Sequence, residues 1–295
     1  MMLLRSMLYM PSYKEKFFRK IHELEADAVI FDLEDSVPPE FKNQGRENLR
    51  EFLNTYEPDG KKLFVRLNSI ESRLLFEDLK YALSEKIYGF MLTKIYSYED
   101  MIYYDKLITQ YENDNGLVNH KFAFIPLIET ASAVLDAHRI AGSTDRVKAL
   151  AFGSEDYLND MGGFHGDPPK GLDYPRAQIS AAARSAAALP IDTPYLKIHD
   201  DEGFRREARL SFELGFAGIQ CLTPGQVTLA NESFLPTEQE VNDSLNIVHA
   251  IEESSLKGSG VAMYNGNMIG PPMERRARKV LALLEASKKG MKQNE

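Results

Sequence analysis

The chain has 295 residues, of which 43% are hydrophobic, and its formal net charge is −9 at pH 7. This length fits one large α/β barrel or two ordinary domains, and the acidic balance argues against nucleic acids and anionic membrane surfaces as partners. The single cysteine, Cys221, cannot form an internal disulfide. The apolar start, "MMLLRSMLYMPS", is interrupted by Arg5 and is too short to span a membrane. We therefore expect a cytoplasmic protein.

Apolar, β-rich segments recur along the whole chain, at 3–10, 27–33, 62–67, 88–93, 122–128, 147–153, 193–198 and 217–222. Charged segments with helical periodicity lie between them, for example at 13–24, 72–83, 131–142, 176–189 and 201–215. This alternation is typical of parallel βαβ units, and near-continuous apolar strands indicate that both faces of the sheet are covered. The eight units predict a (β/α)8 TIM barrel. An open doubly wound sheet is the alternative, but no glycine-rich dinucleotide fingerprint follows the first strand.

The character of the chain changes after residue 235. Residues 236–255 predict a helix that is capped by Thr237, with Glu240 three residues further on. A glycine-rich link, 257–272, leads to a basic helix at 273–287. We therefore predict a barrel domain at 1–235 and a C-terminal helical extension at 236–295.

Polar side chains follow most of the predicted strands. In such barrels the catalytic residues lie at the carboxyl ends of the strands, where this sequence has Tyr9, Glu34, Asp35, Arg66, Asn68, Lys94, Glu129, Glu155, Asp156 and Thr223. A purely structural role as a helix N-cap fits Asp35 and Thr130. It fits Glu129 and Arg66 poorly, because each directly follows buried apolar residues. The pattern favours a charged pocket.

The residue types restrict the chemistry of that pocket. The chain has no GxSxG nucleophile motif and no zinc-type spacing of its histidines. Lys94 could form a Schiff base, but the neighbouring acids would keep it charged and poorly nucleophilic. Carboxylates without histidines suit Mg²⁺, which a substrate with carbonyl and carboxylate oxygens could chelate. Arg66 would then pair with the developing oxyanion.

A series of motifs, in order, gives a more specific indication. These are "RSMLYMPSYKEKFFRK", "DAVIFDLEDSVPPEFK", "FVRLNS", "IPLIETASAV", "LAFGSEDYLNDMG", "GFAGIQCLTPGQV" and "FLPTEQEV". Together they resemble the citrate lyase beta-subunit-like family of the HpcH/HpaI aldolase/citrate lyase superfamily, which includes malyl-CoA and citramalyl-CoA lyases. The resemblance covers nearly the whole chain.

The resemblance implies roles for the acidic residues and the arginine. Glu129 and Asp156 would hold Mg²⁺. Glu34 and Asp35 would accept hydrogen bonds from metal-bound water and help to place the substrate, although a structural role for Asp35 as a helix cap stays open. Arg66 would stabilise negative charge on the keto acid or enolate.

The resemblance also implies residues that bind the thioester. Tyr9, Lys16 and Lys20 match positions that contact coenzyme A, and Lys94 and Thr223 complete the predicted substrate-binding set. Lys16 and Lys20 are four residues apart, which would place them on one face of an α-helix. A solvated helix face is the alternative explanation for these two lysines.

The reaction implied is a reversible Claisen-type cleavage of a 3-hydroxyacyl thioester, on coenzyme A or an acyl carrier protein, to a keto acid and acetyl-CoA or propionyl-CoA. Relatives are commonly trimers, with hexamers as a further form, and their C-terminal segment reaches a neighbouring subunit.

The chain departs from the family pattern at three positions. Gly270 replaces a C-terminal aspartate that acts as an acid or base, Thr223 replaces a histidine, and Ser12 replaces a glycine. The loss of the aspartate leaves two alternatives open. One is a catalytically reduced subunit that binds a thioester, and the other is a free-acid metal aldolase of the pyruvate class.

Overall fold

Eight strands form a closed parallel barrel in the computed structural model, which describes residues 2–166 and 168–292. Each strand pairs with the next along the chain, and the last pairs with the first. The strands are β1 (Ser6–Pro11), β2 (Ala28–Asp32), β3 (Lys62–Leu67), β4 (Gly89–Leu92), β5 (Ala123–Ile128), β6 (Ala149–Phe152), β7 (Leu189–Asp192) and β8 (Gly218–Cys221). The predicted TIM-barrel fold is confirmed.

The strands form because their side chains are buried on both faces. All five residues of β2 and all six of β5 are buried, as expected where helices cover the outside of a barrel. The ends of the barrel also meet, since the Ser6 hydroxyl donates a hydrogen bond to Asn231 Oδ1 over 2.8 Å. In the register of β2 and β3, Asp32 lies directly opposite Arg66.

Helices connect the strands and continue beyond the barrel. They are α1 (Lys42–Thr55), α2 (Leu75–Ala82), α3 (Tyr98–Asp114), α4 (Ala131–Ala141), α5 (Ser154–Met161), α6 (Asp173–Ser185), α7 (Asp201–Glu213), α8 (Pro224–Ser233), α9 (Glu238–Leu256) and α10 (Pro271–Lys292). Short 3₁₀ helices lie at Glu15–Glu23, Pro39–Phe41 and Lys170–Leu172. Across residues 2–166 and 168–292, every helix is too short or too polar to cross a membrane.

The seventh strand lies earlier in the chain than the sequence predicted. It runs over Leu189–Asp192, and the predicted segment 193–198 is a loop in which Leu196 and Ile198 are exposed. Helix α6 ends at Ser185, and Ala187 adopts a positive φ of 57°, which turns the chain into the strand. The prediction of a strand at 193–198 was therefore wrong. The apolar residues that suggested it belong to a surface loop.

The first helical segment also differs from the prediction. It is a 3₁₀ helix over Glu15–Glu23, and its two buried residues, Phe18 and Ile21, have the three-residue spacing of such a helix. With three residues per turn, Lys16 and Lys20 lie about 120° apart around the axis. The prediction that these two exposed lysines share one helix face was wrong.

The chain divides into two compact units, Leu4–Asn231 and a second unit that begins at Glu232 and includes the described residues before Leu4. In the second unit, α9 begins with the predicted capping box of Thr237 and Glu240. The domain ranges 1–235 and 236–295 stay a prediction, and their ends at Met1 and 293–295 lie outside the described residues.

The second unit contains a β-hairpin that the sequence analysis treated as a link. Strands β9 (Ala262–Tyr264) and β10 (Asn267–Ile269) pair antiparallel. Asn265 and Gly266 both have positive φ, 47° and 76°, as a two-residue type I′ turn requires. The sequence "NG" between short apolar runs was the signal that predicts this turn.

Candidate active site

Arg66 is held in the barrel by Asp32 on the neighbouring strand. Its Nε lies 2.7 Å from Asp32 Oδ1, and its Nη2 lies 2.6 Å from Asp32 Oδ2. Burial alone would raise the pKa of the Asp32 carboxyl, but the charge and hydrogen bonds of Arg66 hold this pKa below its ordinary value. Asp32 also accepts the backbone N–H groups of Glu34 (2.9 Å) and Ser36 (3.1 Å). One carboxylate therefore fixes both the arginine and the following loop.

The remaining surfaces of the Arg66 guanidinium face Tyr9 and Glu34. Its central carbon lies 4.8 Å from the centre of the Tyr9 ring, and Nη1 lies 3.1 Å from Glu34 Oε2. The Tyr9 hydroxyl donates a hydrogen bond to Gln220 Oε1 over 2.7 Å. Tyr9 therefore supports the arginine from inside the barrel, and its hydroxyl is engaged there.

Glu34 is buried and Asp35 is exposed, so these neighbours occupy different environments. Burial raises the pKa of Glu34 to about 7; Arg66 opposes this shift, and Asp35 and Asp32 add to it. The ammonium of Lys42 stabilises the loop after β2 by donating hydrogen bonds to the carbonyls of Leu33 (2.7 Å) and Glu34 (2.8 Å). The protonated form of the Glu34 carboxyl is thus favoured more than in an exposed glutamate.

Lys94, Glu129 and Asp156 meet at the ends of β4, β5 and β6. The Lys94 ammonium lies 2.9 Å from Asp156 Oδ2 and 3.6 Å from Glu129 Oε1. The backbone N–H of Lys94 also donates to Glu129 Oε1 over 2.7 Å. Burial would lower the pKa of Lys94, but the hydrogen bond to Asp156 and the charge of Glu129 raise it above its ordinary value. Lys94 is therefore cationic, in accordance with the argument against a Schiff base.

The Glu129 carboxylate is 2% exposed, and Gly153 provides the space for it. A Cβ atom at Gly153 would lie 2.8 Å from Glu129 Cβ and 3.1 Å from Oε2, which is closer than side chains normally pack. Burial raises the pKa of Glu129 to about 7, and Lys94 lowers it in part. A cation near this carboxylate would favour its charged form.

Asp156 belongs to the first turn of α5, and hydroxyl groups anchor that turn. Ser154 Oγ lies 2.7 Å from Thr193 Oγ1, and the Ser154 N–H donates to the same oxygen over 3.2 Å. Glu155 instead points to the exposed His165, 2.5 Å away. Of the two adjacent acids, Asp156 is the one that faces Lys94 and Glu129.

Three predicted substrate-binding residues lie apart from these contacts. Thr223 caps α8 by accepting the backbone N–H of Gln226 over 3.2 Å. Lys16 and Lys20 are exposed on the first 3₁₀ helix. Their predicted role is not tested by these positions and stays a prediction.

The sequence analysis missed three residues that build the site. Asp32 is a fully buried acid at the end of an otherwise apolar strand, and this placement was the signal that could have identified it. Lys42 was noted only as part of a motif. The role of Gly153 depends on a close approach of side chains from two strands, which no local pattern reveals.

Glu129 and Asp156 fit a magnesium ion. In the part of the chain that the structure describes, no group of three or more His, Cys, Asp or Glu residues is arranged to enclose a metal. Mg²⁺ does not need such a group, because it commonly binds through one or two carboxylates, with water and substrate as its other ligands. The carboxylate oxygens of Glu129 and Asp156 match this preference, and Lys94 beside them favours the charged form of Glu129.

A parallel barrel with a buried arginine and a carboxylate pair at the carboxyl ends of its strands defines a class of enzyme. Positive groups fixed at this rim can stabilise negative charge on substrate oxygens. The sequence matches the family model described as HpcH/HpaI aldolase/citrate lyase over residues 5–224. The chain belongs to the HpcH/HpaI aldolase/citrate lyase family.

Individual relatives agree with this assignment. The chain is 33% identical to citrate lyase subunit beta of Leuconostoc mesenteroides subsp. cremoris, over 96% of the chain and 94% of the relative. It is 32% identical to an L-malyl-CoA/beta-methylmalyl-CoA lyase of Cereibacter sphaeroides, over 90% of the chain and 89% of the relative. The predicted family and the predicted class of enzyme, a lyase of the aldolase/citrate lyase type, are confirmed.

A solved structure shares the fold over nearly the whole chain. It is protein CitE from Mycobacterium tuberculosis in complex with magnesium, acetoacetate and coenzyme A. The TM-score is 0.75 at 25% sequence identity, and the match covers 94% of this chain and 96% of the other.

Proposed function

We propose that this chain is a Mg²⁺-dependent carbon–carbon lyase. Its substrate is a 3-hydroxyacyl thioester of the malyl-, citramalyl- or citryl-CoA type, which it cleaves to acetyl-CoA and a keto acid. The observation that carries this proposal is the position of Arg66, Glu129 and Asp156 at the carboxyl ends of β3, β5 and β6, with the arginine fixed by a buried carboxylate. The names of the relatives support the substrate class.

Mg²⁺ is the cofactor, and we assign its binding to Glu129 and Asp156. When bound, it withdraws electron density from carbonyl and carboxylate oxygens of the substrate. The backbone N–H of Lys94 and the absence of a side chain at Gly153 orient the Glu129 carboxylate for this role. The complex of the Mycobacterium tuberculosis protein with magnesium supports Mg²⁺ as the cofactor.

Arg66 provides the second positive charge. In the cleavage direction, the bond between the α-carbon of the thioester and the hydroxyl-bearing carbon breaks. The hydroxyl gives its proton to bound water, and its oxygen becomes the carbonyl oxygen of the keto acid. The electron pair passes to the α-carbon, which takes a proton from water to give acetyl-CoA. Arg66 donates hydrogen bonds to the oxygen on which charge develops. Glu34 and Asp35 position the substrate and accept hydrogen bonds from bound water.

Of the residues proposed to bind the substrate, Tyr9 and Lys94 contact this centre, and the two lysines of the first helix lie apart from it. Lys16 and Lys20, on different sides of their helix, would contact phosphate groups of coenzyme A or an acidic carrier protein separately rather than as a pair. Tyr9 would contact the coenzyme A part, Thr223 the acyl part, and Lys94 a carboxylate of the keto acid. The relative that was solved with coenzyme A supports a thioester ligand.

Two observations favour other functions of the same site. Gly270, in place of the family aspartate, favours a catalytically reduced subunit that binds a thioester. A side chain would fit there, since the nearest atom to an added Cβ is Val261 Cγ1 at 3.6 Å. The Tyr9 hydroxyl donates a hydrogen bond to Gln220. This favours a free-acid aldolase, because such an enzyme would not need Tyr9 to bind coenzyme A.

We also propose a cytoplasmic homo-oligomer, a trimer or a hexamer, in which the C-terminal extension packs on a neighbouring subunit. The second unit exposes Leu245, Leu256, Met263 and Met268, which supports a contact at this part of the chain. Light scattering of the purified protein would measure the mass and would contradict the proposal by giving that of a monomer.

The deciding experiment is a cleavage screen with malyl-, citramalyl- and citryl-CoA, in which acetyl-CoA and keto acid are measured together. We expect cleavage that stops on chelation of Mg²⁺ and in Glu129→Ala. A folded protein that binds Mg²⁺ but cleaves none of these thioesters would contradict the lyase. Restoration of cleavage in Gly270→Asp would then identify the reduced subunit, and cleavage of free hydroxy-keto acids would identify the aldolase.

A further inference from the structure

The ammonium group of Lys94 lies against both carboxylates that we assign to Mg²⁺. It is 2.9 Å from Asp156 Oδ2 and 3.6 Å from Glu129 Oε1. Two carboxylates at close range, one of them 2% exposed, repel each other unless a positive charge lies near them. In the absence of metal, Lys94 supplies that charge.

The main chain of Lys94 holds Glu129 independently of the ammonium group. Lys94 has a φ of 52°, in the left-handed region that a non-glycine residue rarely adopts. In this conformation its backbone N–H donates to Glu129 Oε1 over 2.7 Å. Movement of the side chain would therefore leave the orientation of Glu129 unchanged.

A divalent ion and this ammonium group compete for the two carboxylates. Mg²⁺ requires oxygen ligands at about 2.0–2.1 Å, and positive charges this close to each other repel strongly. The Lys94 side chain is 28% exposed, so solvent is available to it. Its flexible four-carbon stem allows the ammonium to move while the backbone stays fixed.

We propose that Lys94 is a tethered counter-cation, which neutralises Glu129 and Asp156 in the metal-free protein and leaves them when a divalent ion binds. The proposal rests on the metal site assigned under the proposed function. Metal binding then competes with a cation that is built into the chain. It also releases an ammonium group beside the site, where a carboxylate of the substrate can pair with it.

The first test is a titration of chelator-treated protein with MgCl₂ by calorimetry at constant pH, for the wild type, Lys94→Met, Lys94→Arg and Glu129→Gln. We expect Lys94→Met to bind Mg²⁺ at least ~10-fold more tightly than the wild type, because the competing cation is gone. Lys94→Arg keeps the charge and is expected to stay within about threefold of the wild type. Lys94→Gln repeats the test if the methionine variant does not fold.

The second test is direct. Crystal structures with and without MgCl₂ are expected to show the Lys94 ammonium moving beyond about 4 Å from both carboxylates when the metal is present. An ammonium that keeps its contact with Asp156 beside a bound metal would overturn the proposal. Unchanged or weaker binding by Lys94→Met would overturn it as well.

The titration separates this proposal from the proposed function. If the wild type and Glu129→Gln bind Mg²⁺ equally, or neither binds it, the metal assignment is wrong, and the role of Lys94 is rejected with it. If Glu129→Gln loses binding and Lys94→Met gains none, only the role of Lys94 is rejected.

Discussion

Two clusters at the same rim of the barrel neutralise their buried charges in different ways. The arginine cluster, formed by Tyr9, Asp32, Glu34 and Arg66, has its positive and negative groups fixed on neighbouring strands by short hydrogen bonds. The carboxylate pair, Glu129 and Asp156, has the partly exposed side chain of Lys94 as its counter-charge. In the arginine cluster every charge is paired without a ligand. In the carboxylate pair, the ammonium of Lys94 can be replaced by a divalent ion. The rim thus combines the fixed positive charge of Arg66 with the movable positive charge of Lys94.

The largest effect should come from breaking the arginine cluster with Asp32→Asn. This change leaves Arg66 without its buried partner, which should lower the free energy of unfolding by roughly 3 kcal/mol. A misplaced guanidinium should lower kcat by about 100-fold. Urea unfolding and steady-state cleavage assays measure the two effects.

Asp27→Asn is a matched control, because Asp27 forms a similar ion pair (2.7 Å) with Arg5, the residue before β1. It should lose stability while kcat stays within about twofold of the wild type. An Asp32→Asn enzyme with normal kcat would show that Arg66 needs no fixed partner.

The next effect concerns Glu34, whose pKa of about 7 in the folded protein lies above its ordinary value of 4.5. A raised pKa means that folding favours the protonated form. Its contribution to stability is therefore complete below about pH 4.5 and is lost as the pH rises through about 7. Glu34→Gln should be more stable than the wild type at pH 8 by roughly 3 kcal/mol and equal to it at pH 4.5.

Urea unfolding in the presence of a chelator, at both pH values, measures this difference. Asp35→Asn is the control, because the neighbouring side chain is exposed and its replacement should change stability by less than about 0.5 kcal/mol. A stability difference for Glu34→Gln that does not depend on pH would contradict the assigned cause.

Gly153→Ala tests the carboxylate pair without changing a charge. The added methyl group would lie 2.8 Å from Glu129 Cβ and would displace the carboxylate. We expect Mg²⁺ affinity to fall ~10–100-fold, the usual cost of disturbing a group that orients a metal ligand. Calorimetric titration measures it. Gly142→Ala is the control, since its nearest atom is His138 O at 3.7 Å, and equal affinities in the two variants would refute the steric argument.

The smallest effect should come from Tyr9→Phe, which keeps the ring beside Arg66 and removes the hydroxyl that donates to Gln220. We expect a stability loss of about 1 kcal/mol and little change in kcat. Tyr9→Leu, which removes the ring, should lower kcat further because the guanidinium loses its aromatic support. A large kcat loss in Tyr9→Phe would instead assign the hydroxyl a direct role in binding the substrate.

The sequence predicted the rim because parallel strands bring their carboxyl ends together whatever their separation in the chain. That rule, with the motifs, was enough to select Arg66, Glu129 and Asp156. It was not enough for Asp32, whose partner depends on strand register, or for Gly153, whose role depends on the clearance between side chains. The seventh strand was misplaced because an apolar surface loop has the same composition as a strand. The first helix was misjudged because a spacing of four residues has meaning only once the helix type is known.

The pairing of β1 with β8 has a consequence for the connectivity of the barrel unit. The order of the strands around the barrel equals their order in the chain, and the hydrogen bond from Ser6 to Asn231 brings the two ends of the unit together. No strand is therefore first in a topological sense. A circular permutant of this unit, joined at those ends and opened in the exposed segment 57–60, keeps every strand pair of the original. The strand pairing of the barrel therefore does not depend on which strand comes first in the chain.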